Sequence, residues 1–169
     1  MNLAFRWSLV AIGLTVVTTQ AQAQLPQARI YTIQPTGMQV GTTVDLQLLR
    51  GDDIEDISRL WFSHPGITAT QKMEDVDGQQ KPVANTWVVT CAADVPEGVY
   101  EMRAIGFWGA TNCRRFMISR RTQMDEEEPN QLPDKATPLV IGNDINCKLD
   151  QGSDVDWFAF TATAGQRVV

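Results

Sequence analysis

The chain has 169 residues, a formal net charge of −6 and a hydrophobic content of 43%. That composition is ordinary for a folded protein, argues against disorder, and allows one domain or two small ones. The acidic balance excludes a nucleic-acid binder of the usual kind, which needs clustered Lys and Arg on one face; Arg114, Arg115, Arg120 and Arg121 flank the apolar run 116–118 and read as the solvent side and end of a strand.

The chain opens with a targeting segment. Arg6 supplies a positive charge, Trp7 to Val17 is apolar, and Ala21-Gln22-Ala23 has the small-x-small form that signal peptidase accepts. The apolar run is short for a membrane span, which takes about 20 residues. Residues 1–23 are therefore expected to be a signal peptide, with the mature chain starting at Gln24. The protein is expected to be exported, with no membrane span after cleavage.

From Ile30 to Ser119 short alternating runs are separated by Gly, Pro and Asp. Val44, Leu46 and Leu48 alternate with polar neighbours, as do Leu60 with Phe62, Trp87 with Val89 and Cys91, Tyr100 with Met102 and Ala104, and Phe116 with Ile118. This is the period of half-buried strands. Gly51-Asp52-Asp53, Pro65-Gly66, Asp77-Gly78 and Asp94-Val95-Pro96-Glu97-Gly98 mark the turns between them. No helical period holds over this region, so the pattern predicts an all-β sandwich. Gly106-Phe107-Trp108-Gly109 reads as a hairpin tip. Its Phe107 and Trp108 are candidate anchors for a partner, either a protein or a polysaccharide surface; the alternative is that they fold back on the domain's rim or pack on the neighbouring sandwich.

Gly41-Thr42-Thr43 through Gly51, Pro65-Gly66-Ile67, the Asp94-to-Tyr100 corner and Gly109-Ala110-Thr111-Asn112 together resemble immunoglobulin-like domains of the IPT/TIG type. The resemblance implies an immunoglobulin-like sandwich over residues 24–120. It specifies fold and says little of function.

Residues 121–133 form an acidic, Pro-containing linker. Glu126-x-Glu128-Pro129-Asn130, Ala136, Gly142, Asp154-Val155-Asp156-Trp157-Phe158-Ala159-Phe160 and Ala164-Gly165-Gln166 resemble, in that order, the start of a bacterial pre-peptidase C-terminal (PPC) domain. The resemblance implies that residues 134–169, with the motif beginning at 126, open a second β-sandwich. Such a sandwich takes on the order of 100 residues, so it is expected to continue past Val169. Two tandem sandwiches after a signal peptide is the fold expected.

Catalytic chemistry finds no support. His64 is the only histidine, and Ser63 beside it would face the other side of its strand. A nucleophile needs a base and an orienting group, and there is no Gly-x-Ser-x-Gly, Walker or dinucleotide fingerprint. The three cysteines lie in strand-like runs without metal-knuckle spacing, and all are expected to be buried free thiols. The expected function is a non-catalytic binding or structural module. The alternative is the accessory region of a secreted peptidase whose catalytic domain lies outside this chain.

Pro129 disfavours helix at Glu128, and in an extended segment residues 126, 128 and 130 project to one side. Asp154 and Asp156 likewise share a side, ahead of Phe158 and Phe160, which are expected to enter the core. If the two groups meet, up to four negative charges gather, and a hard cation relieves their repulsion. Oxygen ligands of this kind suit calcium; the alternative is a solvated acidic linker and a polar strand entry. The PPC resemblance carries the same role to Glu126, Glu128, Asn130, Asp154 and Asp156. Gln131 departs from it, standing where Asp or Asn is usual.

Overall fold

A computed structural model describes residues 25–149 and 152–167; the expected signal peptide and its cleavage site lie outside the described residues. Those residues form no α-helix, and strands dominate. The protein is all-β.

One sheet holds β1 (Arg29–Gln34), β3 (Thr43–Asp52), β6 (Gln79–Cys91) and β5 (Ile67–Val76), in that order and antiparallel throughout. The other holds β2 (Gly37–Gln39), β9 (Arg114–Ser119), β7 (Gly98–Gly106) and β4 (Ile57–Phe62), with β8 (Gly109–Ala110) folded back on β7. Its β2–β9 pair is parallel. The sheets contribute to a single apolar core. Leu46, Leu48, Trp87, Val89 and Cys91 come from the first, and Leu60, Phe62, Met102, Ala104, Phe116 and Ile118 from the second. Val44 and Tyr100 pack on its margin. Each alternating run thus buries one face, and each large side chain removed from water contributes about 1.5–3 kcal/mol.

Local chemistry sets the connections. Asp77 and Gly78 both have positive φ, 56° and 77°, which suits a two-residue hairpin between β5 and β6. The Asp75 carboxylate accepts the Gly78 N–H at 2.8 Å. At the corner before β7 the Tyr100 hydroxyl donates to the Pro96 carbonyl at 2.8 Å. Asn112 acts as a clamp: its Oδ1 accepts the Ile30 N–H at 2.7 Å and its Nδ2 donates to the Ile30 carbonyl at 2.9 Å. One side chain therefore satisfies both backbone groups of a buried residue on β1 from the loop that leads into β9.

Arg114 departs from the expected solvent-facing role. It shares the inward side of β9 with Phe116 and is half-buried. Arg115, Arg120 and Arg121 are exposed.

After β9 the strands become short. β10 (Gln123–Asp125) pairs in parallel with β12 (Asp144–Asn146), and β11 (Thr137–Pro138) in parallel with β13 (Phe158–Ala159). A 3-10 turn covers Pro133–Lys135. The acidic stretch is thus hydrogen-bonded at both ends. The buried Asn146 fastens β12 to the segment between β1 and β2, where its Oδ1 accepts the N–H and hydroxyl of Thr36 at 3.1 and 3.2 Å. Phe158 is half-buried, whereas Phe160 is 52% exposed. Both rings were expected to enter the core, but neither belongs to the apolar core cluster of the described residues.

Candidate metal centre

Glu126 follows β10 directly, and its N–H bonds the Asn146 carbonyl at 3.1 Å, continuing the parallel ladder. Its Oε1 accepts the Lys148 N–H at 2.7 Å. Its Oε2 is buried without a hydrogen-bond partner. Burial pushes the Glu126 carboxyl above the usual glutamate range; the Lys148 N–H opposes the shift, and the charges of Asp156 and Glu128 add to it.

Glu128, two residues on, lies at a bend and is exposed. Its Oε2 accepts the Asn130 N–H at 3.0 Å and the Gln131 amide at 2.9 Å. The Gln131 amide also reaches Asp154 Oδ1 at 3.3 Å. Gln131 thus does more than remove a charge from the expected ligand set: its NH2 group donates to a carboxylate from each of the two segments.

Asn130 is fully buried. Its Nδ2 reaches Thr137 Oγ1 at 3.4 Å, while its Oδ1 has no donor. Its carbonyl accepts the Trp157 N–H at 3.0 Å, and the Thr137 N–H donates to the Trp157 carbonyl at 2.8 Å. Thr137 Oγ1 also accepts the Glu127 N–H at 3.1 Å. These bonds draw the 126–130 segment against the 154–158 segment.

The two acidic groups meet. Glu128, Asp154 and Asp156 each present a carboxylate oxygen within 4.8 Å of the others, and Glu126, Cys147 and Asp156 form a second such group. Ligands about 2.4 Å from one calcium ion stand at most about 4.8 Å apart, so the first spacing is compatible with a single hard cation. The residues fit such an ion in kind as well: they offer oxygen, and Glu126 and Asn130 hold buried oxygens that lack a donor. Asp156 belongs to both groups.

Sequence reasoning missed three contributors. Thr137 is buried and braces both segments, yet a threonine two residues after a 3-10 turn carries no signal of that role. Gln131 looked like a lost ligand. Cys147 was expected to be buried with the other two thiols, but it is exposed, because β12 ends at Asn146 and the next side chain falls outside the ladder. Cys113 is half-buried in the loop before β9, and only Cys91 is in the core.

That ordering has a measurable result. Iodoacetamide applied to the native protein should label Cys147 first and Cys113 more slowly. Cys91 should react only on unfolding, as read by peptide mass spectrometry. Labelling of Cys147 should still be slower than for an ordinary exposed thiol, because partial burial and the charges of Glu126 and Asp156 raise its pKa and keep it protonated. Early labelling of Cys91 would contradict the packing described above.

The other singled-out residues stand apart from this centre. Phe107 and Trp108 form the two-residue tip between β7 and β8, flanked by the paired Gly106 and Gly109. Phe107 is 78% exposed, and its ring meets that of Trp108 edge-on at 4.7 Å. His64 Nδ1 accepts the Gly66 N–H at 3.1 Å, and Ser63 Oγ accepts the Glu101 N–H at 3.0 Å. Both are engaged in local structure.

Compared with known protein families, with curated proteins and with solved structures, the chain matches none. The immunoglobulin-like and pre-peptidase resemblances therefore rest on the residues themselves.

Proposed function

We propose that the chain is a non-catalytic binding or structural module of an exported multidomain protein, stabilised by calcium. On this reading residues 1–23 are a signal peptide, 24–120 an immunoglobulin-like sandwich, and the PPC-like motif from 126 opens a second sandwich. Two features support the first sandwich: two sheets on one core, and the Tyr100 hydroxyl bonded to the Pro96 carbonyl, a tie of the kind that closes the corner of immunoglobulin-like sandwiches. The convergence of Glu128, Asp154 and Asp156 carries the calcium reading, because it brings together carboxylates from segments more than twenty residues apart. Glu126 and Asn130 complete the ligand set.

Titration calorimetry of the full chain tests this reading. Calcium should bind at one site with a Kd on the order of 10⁻⁴–10⁻³ M, as in extracellular modules, and magnesium should bind poorly because it demands tighter octahedral geometry. Glu128→Ala and Asp154→Ala should each remove the heat. A chain that takes up no calcium, or whose variants bind as the parent does, would refute the assignment.

The hairpin tip is the partner surface of the same reading. A Phe–Trp pair at a two-residue tip presents a large apolar contact at little entropic cost. Trp108→Ala should leave stability within about 0.5 kcal/mol of the parent. A drop of several degrees in Tm would instead assign the ring to packing.

A further inference from the structure

Four strands end the two sheets, and they are not equally protected. Asn112 takes both backbone groups of Ile30 on β1; β2 is short, and Asn146 holds Thr36 just before it. Among the described residues no strand lies beyond β4 or β5. The phase of each ladder shows which of their backbone groups are open, because successive residues of an antiparallel strand bond to opposite sides. The Ala92 N–H donates to the Gly66 carbonyl at 2.9 Å, so Thr68 and Thr70 also face β6, and Ile67, Ala69 and Gln71 face outward. The Ile67 N–H is spent on the His64 carbonyl at 3.1 Å. Its carbonyl, and both groups of Ala69 and Gln71, remain. On β4 the Ser63 N–H donates to the Glu101 carbonyl at 2.9 Å, which turns Leu60 and Phe62 outward, next to a bulge and the charge of Arg59.

Strand β5 lacks the usual defences of an edge. Natural edge strands are blunted by charge, proline, bulges or shortness, since open backbone groups invite another strand. The run Ile67-Thr68-Ala69-Thr70-Gln71 has no charge and no proline, and its register with β6 is unbroken. The bulge of β5 comes only after Gln71. Thr68 and Thr70 are exposed. The Gln71 amide donates to the Val83 and Thr86 carbonyls at 2.7 and 3.0 Å, which draws that side chain towards β6.

We propose that the β5 edge binds a second copy of this chain, joining two four-stranded sheets into one. The run is its own complement. Two copies pair antiparallel about a two-fold axis at Ala69. The Ala69 groups of the two copies bond each other, and each Gln71 N–H donates to the Ile67 carbonyl of the other copy. Thr68 then stands opposite Thr70 of the other copy at a non-hydrogen-bonded position, where Cα atoms are about 4.5 Å apart. Threonine pairs are favourable across strands. They extend a row already present on this face, where Thr43 Oγ1 lies 3.0 Å from Thr90 Oγ1 and Thr90 pairs with Thr68. No charged residues are opposed along the seam, although the chain carries a net charge of −6. A register shifted by two residues would bring the bulge after Gln71 into the seam, so the axis at Ala69 uses the whole regular run. The seam is narrow, and the dimer is therefore weak and concentration-dependent.

Sedimentation velocity of the full chain over about a hundredfold range of concentration tests this. Reductant and chelator are present throughout, so that neither Cys147 nor a cation can bridge two copies. The chain should pass from monomer to dimer as concentration rises. Thr68→Lys with Thr70→Lys sets lysine opposite lysine twice and should weaken association by about tenfold or more. Both positions are exposed, so this variant should melt as the parent does. Thr68→Glu with Thr70→Glu should likewise be monomeric, and a mixture of the two variants should recover a one-to-one dimer. Amide hydrogen exchange reads the seam directly: the Ala69 and Gln71 N–H groups should slow as concentration rises, and those of Leu60 and Phe62 should not. A chain that stays monomeric throughout overturns the proposal and leaves the edge to a strand of another protein. A dimer that survives the paired lysines, or a lysine–glutamate mixture that does not associate, overturns it as well.

Discussion

Calcium should raise the melting temperature of the full chain relative to the same protein in chelator, and Asp156→Ala should abolish the rise. A ligand that binds only the folded form stabilises it by RT ln(1 + [L]/Kd), about 2.7 kcal/mol at a hundredfold excess over Kd. Asp156 is the informative position because it belongs to both clusters, Glu128–Asp154–Asp156 and Glu126–Cys147–Asp156, so one substitution weakens both. The effect has a defined pH dependence. The Glu126 pKa is raised in the fold, first by burial and then by Asp156 and Glu128. A raised carboxyl contributes stability below its unfolded value and loses that contribution as pH rises through the folded value. Where Glu126 is ionised it therefore costs stability that a cation can offset. The gap between the calcium and chelator melts should close as pH falls through the Glu126 range, where protons replace the ion. Superimposable melts at pH 7 would leave these carboxylates as a solvated cluster.

Phe116→Ala should be the most damaging of the substitutions considered. Phe116 is fully buried, and its ring meets Phe62 edge-on at 5.4 Å between the two sheets. Truncating a buried phenylalanine typically costs about 3–5 kcal/mol, since the cavity adds to the lost transfer energy. For a unit of roughly 100 residues that corresponds to a fall of more than about 10 °C in Tm. Phe160→Ala provides the contrast, because Phe160 is 52% exposed, and it should cost less than about 1 kcal/mol. Similar losses for the two variants would mean that the core is not centred on β7 and β9.

These two phenylalanines also show where a sequence is legible. Phe116 and Ile118 alternate with polar or exposed neighbours on a six-residue strand, and period-2 patterning marks such strands because one face meets the core. The same signal identified the inward faces of β3, β4, β6 and β7. It fails for β2, β8 and β10 to β13, which run two or three residues and have no room to alternate. Those strands owe their existence to partners far along the chain, as in the parallel pairing of Gln123–Asp125 with Asp144–Asn146. The candidate site divides in the same way. The spacing of Glu126, Glu128 and Asn130, and of Asp154 and Asp156, marks them as two groups, but in the structure Glu128 is exposed while Asn130 is fully buried. That the two groups meet depends on the Asn130–Trp157 and Thr137–Trp157 bonds, which no local pattern announces. The fate of Cys147 depends in turn on where β12 stops.

The parallel pairing of β2 with β9 has a mechanical consequence. Gly37, Met38 and Gln39 lie beside Met117, Ile118 and Ser119, near the entry and exit of the two-sheet unit. When the two ends of that unit are pulled apart, parallel strands slide along their length. Their hydrogen bonds then bear the force together, whereas a hairpin opened from its end gives way one bond at a time. The Val40 N–H to Ser119 carbonyl and Met117 N–H to Thr36 carbonyl bonds, at 2.9 and 3.0 Å, extend the loaded stretch at both ends. Tension entering from the N-terminal side would load β1, whose Ile30 and Ile33 lie in the core, and then this short shear patch; tension from the other side would reach the patch first.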